Sequence, residues 1–193
     1  MKKPDSGHSE SWRPSASLDD LKARASLLAD IRSFFSERGV LEVETPALSH
    51  AATTDPAIES FVTQRRGPVS GKEPPLYLHT SPEFPMKRLL AAGSGSIYQI
   101  CKVFRSEEYG RLHNPEFTLL EWYRTGYDYH EMMDELENLV SGLLEPYIQL
   151  GSSERRSYAE VFQVYAGINP HQADLKALKK CAEEHAVSIP VSM

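Results

Sequence analysis

Two strand-like segments joined by a charged loop constrain the fold of this chain more than any other feature. Residues 97–104, IYQICKVF, and residues 116–123, EFTLLEWY, are rich in the β-branched and aromatic residues that favour strands. The connection between them, residues 105–115, contains Asn114-Pro115, a common turn signal. The pattern therefore predicts a long antiparallel hairpin with a densely charged tip.

Helical patterns stand on both sides of this hairpin. Ser17 is a good N-cap residue, Asp19 and Asp20 favour the dipole of the first turn, and Gly39 is a natural stop. The apolar residues between these signals recur at helical spacing. A second helix is predicted to have Ser81 as its N-cap and Pro82 at its first position, and to end at Gly93. Three further helix starts are predicted at Asp128, Ser157 and Asp174.

Three shorter strands are expected before the hairpin, at residues 40–45, 61–62 and 76–80. A Gly- and Pro-rich loop is expected at residues 65–75. The order of helices and strands predicts an α+β fold, in which helices flank an antiparallel sheet. We expect one domain over residues 17–193, preceded by a disordered polar tail over residues 1–16.

Composition and charge exclude several classes of protein. The net charge of −6 argues against a protein that coats nucleic acid. No apolar run is long enough to span a bilayer. Two cysteines, Cys101 and Cys181, make no disulfide framework, which favours a reducing, cytoplasmic setting. Cys181 and His185 stand four apart on a predicted helix, but two ligands make no metal site, so we predict none in this chain.

Arg105 and Glu107 in the charged loop admit two interpretations. An arginine at a strand end is a planar cation that fits phosphate oxygens, and Glu107 shares its face if the strand continues. Together they could address the two ends of a nucleotide. The alternative is an exposed network of ion pairs on a hairpin tip, which contributes little to stability. Spacing by itself leaves both interpretations open.

Three segments resemble one enzyme family. FRSEE and RLHNPEFTLLEWY resemble motif 2 of the class II aminoacyl-tRNA synthetases, RGVLEVETPAL resembles motif 1, and TSPEFPMKRLL resembles the amino-acid-side helix of the lysine branch. They occur in the order of that family, and the three together are more specific than any one of them. Within the class, the chain is similar to the stand-alone paralogues of lysyl-tRNA synthetase. Residues 1–16 are too few to form the anticodon-binding domain of the synthetase itself.

The resemblance implies a reaction in two steps. These paralogues activate lysine, typically the β-isomer, as an adenylate with ATP and transfer it to a lysine side chain of elongation factor P. It implies ATP with Mg²⁺ as cofactor, a homodimer and no tRNA partner. For the ATP site, it implies that Arg105 grips the α-phosphate as the catalytic cation, that Glu107 accepts from the adenine amino group and that Asn114 touches the nucleotide.

The same resemblance assigns Ser81, Glu83 and Tyr123 to the amino-acid substrate. The alternative for Ser81 and Glu83 is an ordinary helix start with an acidic first turn, and the two roles are compatible. The alternative for Tyr123 is a half-buried strand tyrosine. Motif 1 builds the dimer interface in this class, which implies burial between subunits for Leu41, Val43 and Pro46; the alternative is an edge strand that ends at a proline.

Motif 3 of the class has no match in these residues. No GxGxxR-like segment follows Gly95, and the acidic strand that carries the family's metal ligands is missing too. We therefore expect a sheet that is incomplete on its C-terminal side and no adenylation activity from the 193 residues by themselves. Two alternatives remain: a fragment of a lysyl-tRNA synthetase that charges tRNA, and a synthetase-like binding subunit without catalysis.

Overall fold

The structure is a computed structural model that describes residues 14–64 and 74–188. Most of the predicted tail and of the predicted loop at residues 65–75 lies outside the described residues. The chain divides into two compact units, residues 1–149 and residues 150–193. Within the described ranges, no helix combines the length and the apolar character that crossing a membrane requires.

The first unit holds the strands and three helices of the described chain. In order these are helix α1 (Leu18–Glu37), strands β1 (Leu41–Glu42), β2 (Leu48–Ser49), β3 (Val62–Thr63) and β4 (Leu76–Leu78), helix α2 (Glu83–Ala91), strands β5 (Ile97–Phe104) and β6 (Glu116–Tyr123), and helix α3 (Tyr129–Leu144). The second unit holds helices α4 (Tyr158–Ala166) and α5 (Leu175–Glu184). The predicted α+β class is confirmed.

The predicted hairpin forms with the predicted bounds. Strands β5 and β6 pair antiparallel along their whole length, from Ile97 opposite Tyr123 to Phe104 opposite Glu116. β5 is the centre of a three-stranded sheet, because β1 pairs with its other side in parallel. The sequence analysis expected antiparallel pairing, and this parallel pair is a departure from it. A second sheet has the order β2-β4-β3 and is antiparallel.

Local capping chemistry explains where the helices begin. Asp128 and Ser157 cap their helices through the predicted reciprocal box, and Asp174 caps α5. Ser17 caps α1 as predicted, and it also forms a reciprocal box with Asp20 that was not predicted. The prediction that Ser81 is the N-cap of α2 is wrong, since Pro82 takes that position. Ser81 Oγ still accepts from the backbone N–H of residue 83, at 3.0 Å. The strand expected at residues 40–45 is reduced to two paired residues, β1.

One face of the three-stranded sheet packs against helices and forms the core. The ring of Phe35 on α1 is fully buried and stacks on Tyr98 of β5, with 4.5 Å between the ring centroids. Ile31, Val40 and Leu139 complete this cluster. Because side chains alternate along a strand, the even-numbered residues of β5 and β6 face the helices and the odd-numbered residues face the other side. The odd-numbered face is covered too, since Ile97, Gln99 and Val103 are buried on it, and its half-buried residues on β6 are the ones available for a binding site.

The second unit is a pair of short helices. Gly167 ends α4 in the left-handed conformation, with φ of 67°, which glycine adopts without strain. Cys181 Sγ on α5 lies 3.6 Å from the carbonyl oxygen of Ala166 at the end of α4. The two helices therefore contact each other directly.

Candidate active site

The hairpin brings two site residues to one face of the sheet. Glu121 pairs with Gln99 across the ladder, and Tyr123 pairs with Ile97, so Glu121 and Tyr123 point to the side opposite the helical core. The segment that leads into α2 approaches this face and contributes Ser81. Residues far apart in the sequence therefore meet at the odd-numbered face of β5 and β6.

A carboxylate with two hydroxyl donors lies at the centre of this face. Ser81 Oγ donates to Glu121 Oε2 at 2.5 Å, and the Tyr123 hydroxyl donates to Glu121 Oε1 at 2.7 Å. Two predicted substrate residues, Ser81 and Tyr123, are thus joined through a third that the sequence analysis missed. The sequence signal that could have identified Glu121 is its position two residues before Tyr123, because residues two apart share one face of a strand.

The phenol of Tyr123 is held in its protonated form. Burial raises its pKa well above the usual range, and the adjacent carboxylates of Glu121 and Glu83 raise it further. At neutral pH Tyr123 is therefore a neutral hydrogen-bond donor, and each oxygen of the Glu121 carboxylate already accepts a hydrogen bond. Burial likewise raises the pKa of the Cys101 thiol on the same face, so this cysteine is neutral too.

Glu83 lies at the first position of α2, beside this network. Its carboxylate forms an ion pair with Lys87, one turn along the helix. The side chains of Glu83 and Lys87 are 46% and 56% exposed, so solvent reaches the pair. Next to it is a cavity of about 420 Å³. Its lining comes from residues 46–53, from residues 78–81 and from the first turns of α2, including Glu83 and Arg88.

Arg105 leaves the end of β5 and turns toward the segment before α2. Its Nε donates to the carbonyl oxygen of Thr80 at 3.3 Å, and its NH1 group pairs with Glu108 at 2.9 Å. Its guanidinium carbon lies 5.1 Å from the centre of the Phe117 ring, within the range of a cation–π contact. Arg105 is therefore positioned by contacts with three different segments, and one of the contacted residues, Thr80, is adjacent in sequence to Ser81 of the network.

Glu107 and Asn114 take different positions from Arg105. The condition for Glu107 to share a strand face with Arg105 is not met, because β5 ends at Phe104 and the backbone turns. Glu108 is the acid that pairs with Arg105 instead. Glu107 and Asn114 are exposed in the connecting loop. Their assignment to the nucleotide stays a prediction.

The motif 1 residues lie at a sheet edge. Leu41 on β1 is 57% exposed, Val43 is half-buried and Pro46 is exposed and lines the 420 Å³ cavity. Their burial in a dimer stays a prediction. In residues 14–64 and 74–188, no three His, Cys, Asp or Glu side chains cluster in a way that could hold a metal ion. The described residues therefore do not fit a resident magnesium site.

Comparison with known proteins identifies the class. Residues 9–186 match the family described as tRNA synthetases class II (D, K and N), and this match covers most of the chain. The chain belongs to that family, as its motifs predicted. The relatives described next carry the name of the lysine-branch enzyme that the resemblance implied.

Several curated relatives share one printed name, elongation factor P–(R)-beta-lysine ligase. The protein of Vibrio cholerae is 54% identical over 171 residues, which are 89% of this chain and 52% of that protein. The protein of Vibrio vulnificus is 50% identical over 177 residues, 92% of this chain and 54% of its own length. The protein of Histophilus somni is 50% identical over 175 residues, 91% and 53% of the two chains. The chain spans about half the length of the curated relatives it matches.

Proposed function

We propose that these residues are part of an ATP-dependent ligase that activates lysine, as the (R)-β-isomer, and transfers it to elongation factor P. The names of the relatives and the family match support this reaction. The observation that carries the proposal is the Ser81–Glu121–Tyr123 network, which lies beside both Glu83 and the segment that Arg105 contacts.

The substrate's two amino groups suit the two acids of this face. Lysine and β-lysine each carry two ammonium groups, and an ammonium is a compact cation with three donors. Glu121 provides a carboxylate whose orientation is fixed by two hydroxyl groups. Glu83 provides a second carboxylate, which lines the cavity. Tyr123 stays neutral and keeps its proton on the Glu121 side. We infer that Glu121, Glu83, Ser81 and Tyr123 together select a diamino acid.

Arg105 supplies the positive charge for the first chemical step. An oxygen of the substrate carboxylate attacks the α-phosphorus of ATP, the bond from that phosphorus to the bridging oxygen breaks, and pyrophosphate leaves. Negative charge on the α-phosphate oxygens grows during this step, and a guanidinium that is already oriented stabilises it. We infer that the α-phosphate takes the place of Glu108 as the partner of Arg105, while Glu107 and Asn114 contact the nucleotide.

The second step forms an amide. The amino group of an elongation factor P lysine attacks the carbonyl carbon of the adenylate, the bond to the phosphate oxygen breaks, AMP leaves, and the attacking nitrogen loses a proton. Both steps depend more on fixed geometry than on a protein base. No step is assigned to magnesium, because the described residues offer no cluster that fits it.

The assembly and setting are part of the same proposal. We propose a homodimer through Leu41, Val43 and Pro46, and one catalytic domain that includes residues 17–193. Cys101 and Cys181 are both free, which agrees with a reducing, cytoplasmic setting.

Pyrophosphate exchange tests the proposal on the protein expressed at the full length that its gene encodes. We expect exchange that depends on lysine or (R)-β-lysine, followed by labelling of elongation factor P. Replacing Arg105 with alanine removes the cation at the α-phosphate, and the loss of one such group typically costs about 10²- to 10³-fold in rate.

Arg111→Ala is the matched control, since Arg111 is an exposed arginine of the same loop. Equal exchange by Arg105→Ala and the unaltered protein would contradict the role of Arg105. Absence of exchange with either lysine isomer, from a folded full-length protein, would contradict the proposed function itself. Transfer to lysine tRNA instead of elongation factor P would favour the synthetase alternative.

A further inference from the structure

Lys87 already places an ammonium group on one of the two site carboxylates. Its Nζ contacts Glu83 Oε1 across one turn of α2. Glu83 is anchored at the same time, because its backbone N–H donates to Ser81 Oγ at 3.0 Å. The Glu83 backbone is therefore fixed beside Ser81, its carboxylate is near enough to Tyr123 to raise the pKa of that phenol, and Lys87 is its ion-pair partner.

This pair is chemically the same as the contact proposed for the substrate. A substrate ammonium at Glu83 and the Lys87 ammonium would be two like charges on one carboxylate, which repel each other. An exposed Glu–Lys pair four residues apart on a helix is also weak, so a ligand can displace it. Both side chains are about half exposed, as displacement requires.

We propose that Lys87 is an internal competitor for the substrate's ammonium group at Glu83 and thereby lowers the affinity of the site for lysine. This inference rests on the proposed function. When the site is empty, Lys87 neutralises Glu83; when a diamino acid binds, Lys87 swings away into solvent. Lys87 then tunes the affinity of the site, because a ligand that places an ammonium group at Glu83 has to displace it.

Titration calorimetry of the full-length protein tests this competition. Lys87→Gln keeps the length and polarity of the side chain but removes the charge. We expect it to bind lysine about 1.4- to 2.3-fold more tightly than the unaltered protein, as the loss of a weak helical ion pair implies. Lys87→Arg keeps a cation next to Glu83 and should bind lysine as the unaltered protein does.

Two analogues show whether the gain comes from an ammonium at Glu83. Norleucine lacks the terminal amine, and 6-aminohexanoate lacks the amine near the carboxylate. The gain in affinity of Lys87→Gln should persist for the analogue that keeps the amine bound at Glu83. It should vanish for the analogue that lacks this amine. Lys180→Gln is the matched control, since it removes the same charge and another exposed i,i+4 pair, with Glu184 on α5.

The outcomes separate this inference from the proposed function. If the unaltered protein binds lysine and Lys87→Gln binds it equally or more weakly, the competitor role is wrong and the proposed function stands. If Lys87→Gln binds both analogues more tightly by the same factor, the gain in affinity is a general charge effect, and the competitor role is wrong. The same conclusion follows if Lys180→Gln gains as much affinity for lysine as Lys87→Gln does. If the unaltered protein binds neither lysine isomer, the proposed function fails, and this inference fails with it.

Discussion

At the residue scale, the Glu121 carboxylate connects two side chains that were each predicted to bind the substrate. Ser81 and Tyr123 occupy its two oxygens, and its strand neighbour Gln99 is buried on the same face, where the Thr45 hydroxyl donates to its side-chain oxygen at 2.9 Å. A carboxylate in this setting has a fixed orientation before a ligand arrives. Preorganisation of this kind is what lets one charge discriminate between ligands.

Replacing Glu121 with glutamine should weaken the substrate site. The amide removes the negative charge and replaces one accepting oxygen with a donor, which opposes the hydroxyl that points at it. Loss of a charged hydrogen bond costs about 1.5–3 kcal/mol, so we expect KM for lysine to rise roughly 10- to 100-fold. Steady-state exchange kinetics measure this. Glu116→Gln, on the same strand but its other face, serves as the control, and an equal effect of both changes would contradict the role of Glu121.

Tyr98 gives a prediction for stability at high pH. Its hydroxyl donates to Glu42 Oε2 at 2.9 Å, and burial, followed by that carboxylate, raises its pKa from 10 to about 12. Because the folded state holds this proton more tightly than the unfolded state, the stabilisation is present below pH 10 and is lost as the pH rises through 12. The loss is on the order of 2 kcal/mol.

Tyr98→Phe separates this effect from other groups that titrate at high pH. Urea unfolding of the variant is measured between pH 9 and 12, from below the unfolded-state pKa of Tyr98 up to its folded-state pKa. The variant should show lower stability at pH 9 and a flatter decline above pH 10 than the unaltered chain. Tyr109→Phe, at an exposed position in the loop, should leave the decline unchanged. The same slope in Tyr98→Phe and the unaltered chain would show that Tyr98 does not cause it.

At the scale of elements, the hairpin is held by what packs on its even-numbered face. Phe35 of α1 contacts both strands, with ring centroids 4.5 Å from Tyr98 and 5.6 Å from Trp122. Trp122 Nε1 donates to Glu135 of α3 at 3.0 Å, and Arg124 Nε lies 3.2 Å from the same carboxylate. The Arg124–Glu135 pair depends on charge more than on hydrogen-bond alignment, because Arg124 Nε has no well-aligned acceptor. These contacts fix the orientation of the hairpin, and Glu121 and Tyr123 lie on its opposite, odd-numbered face.

Phe35→Ala should therefore destabilise the whole first unit. Removal of a fully buried ring leaves a cavity between α1 and the hairpin, and such changes cost about 3–5 kcal/mol. Chemical unfolding followed by tryptophan fluorescence reports it directly, because Trp122 borders the cavity. Phe61→Ala, at a partly exposed position, should cost far less. Similar losses for both variants would contradict this view of the core.

At the scale of the whole molecule, the apolar residues exposed around motif 1 support the proposed dimer. β1 is an edge strand, since β5 is its only partner in the sheet order of the described chain. Leu41 is 57% exposed at this edge, and Leu48, on β2 of the second sheet, is 46% exposed. Exposed apolar side chains at an unpaired edge favour association with another surface.

Leu41→Glu should convert the proposed homodimer to a monomer. A buried, unpaired carboxylate in an interface is costly, so the equilibrium between dimer and monomer should shift strongly. Sedimentation equilibrium of the full-length protein measures it. Leu18→Glu introduces the same charge at an exposed position on α1 and should leave the dimer intact. A monomer for the unaltered protein would refute the assembly, although not the proposed chemistry.

Features that depend on neighbours along the chain follow from the amino-acid sequence. The hairpin bounds and the caps at Ser17, Asp128 and Ser157 were predictable because strand pattern and capping involve residues only a few positions apart. Resemblance to motif 2 likewise directed attention to Arg105 and Tyr123.

Contacts between residues that are distant in sequence depend on tertiary packing. The parallel pairing of β1 with β5 joins residues 41–42 to residues 97–98, and Ser81 reaches Glu121 across 40 positions of sequence. The pairing of Arg105 with Glu108 instead of Glu107 follows from a turn after β5 that the alternation of a strand cannot show. Such contacts depend on how the sheet, α2 and the loop pack in space, and periodicity along the chain carries no information about that packing.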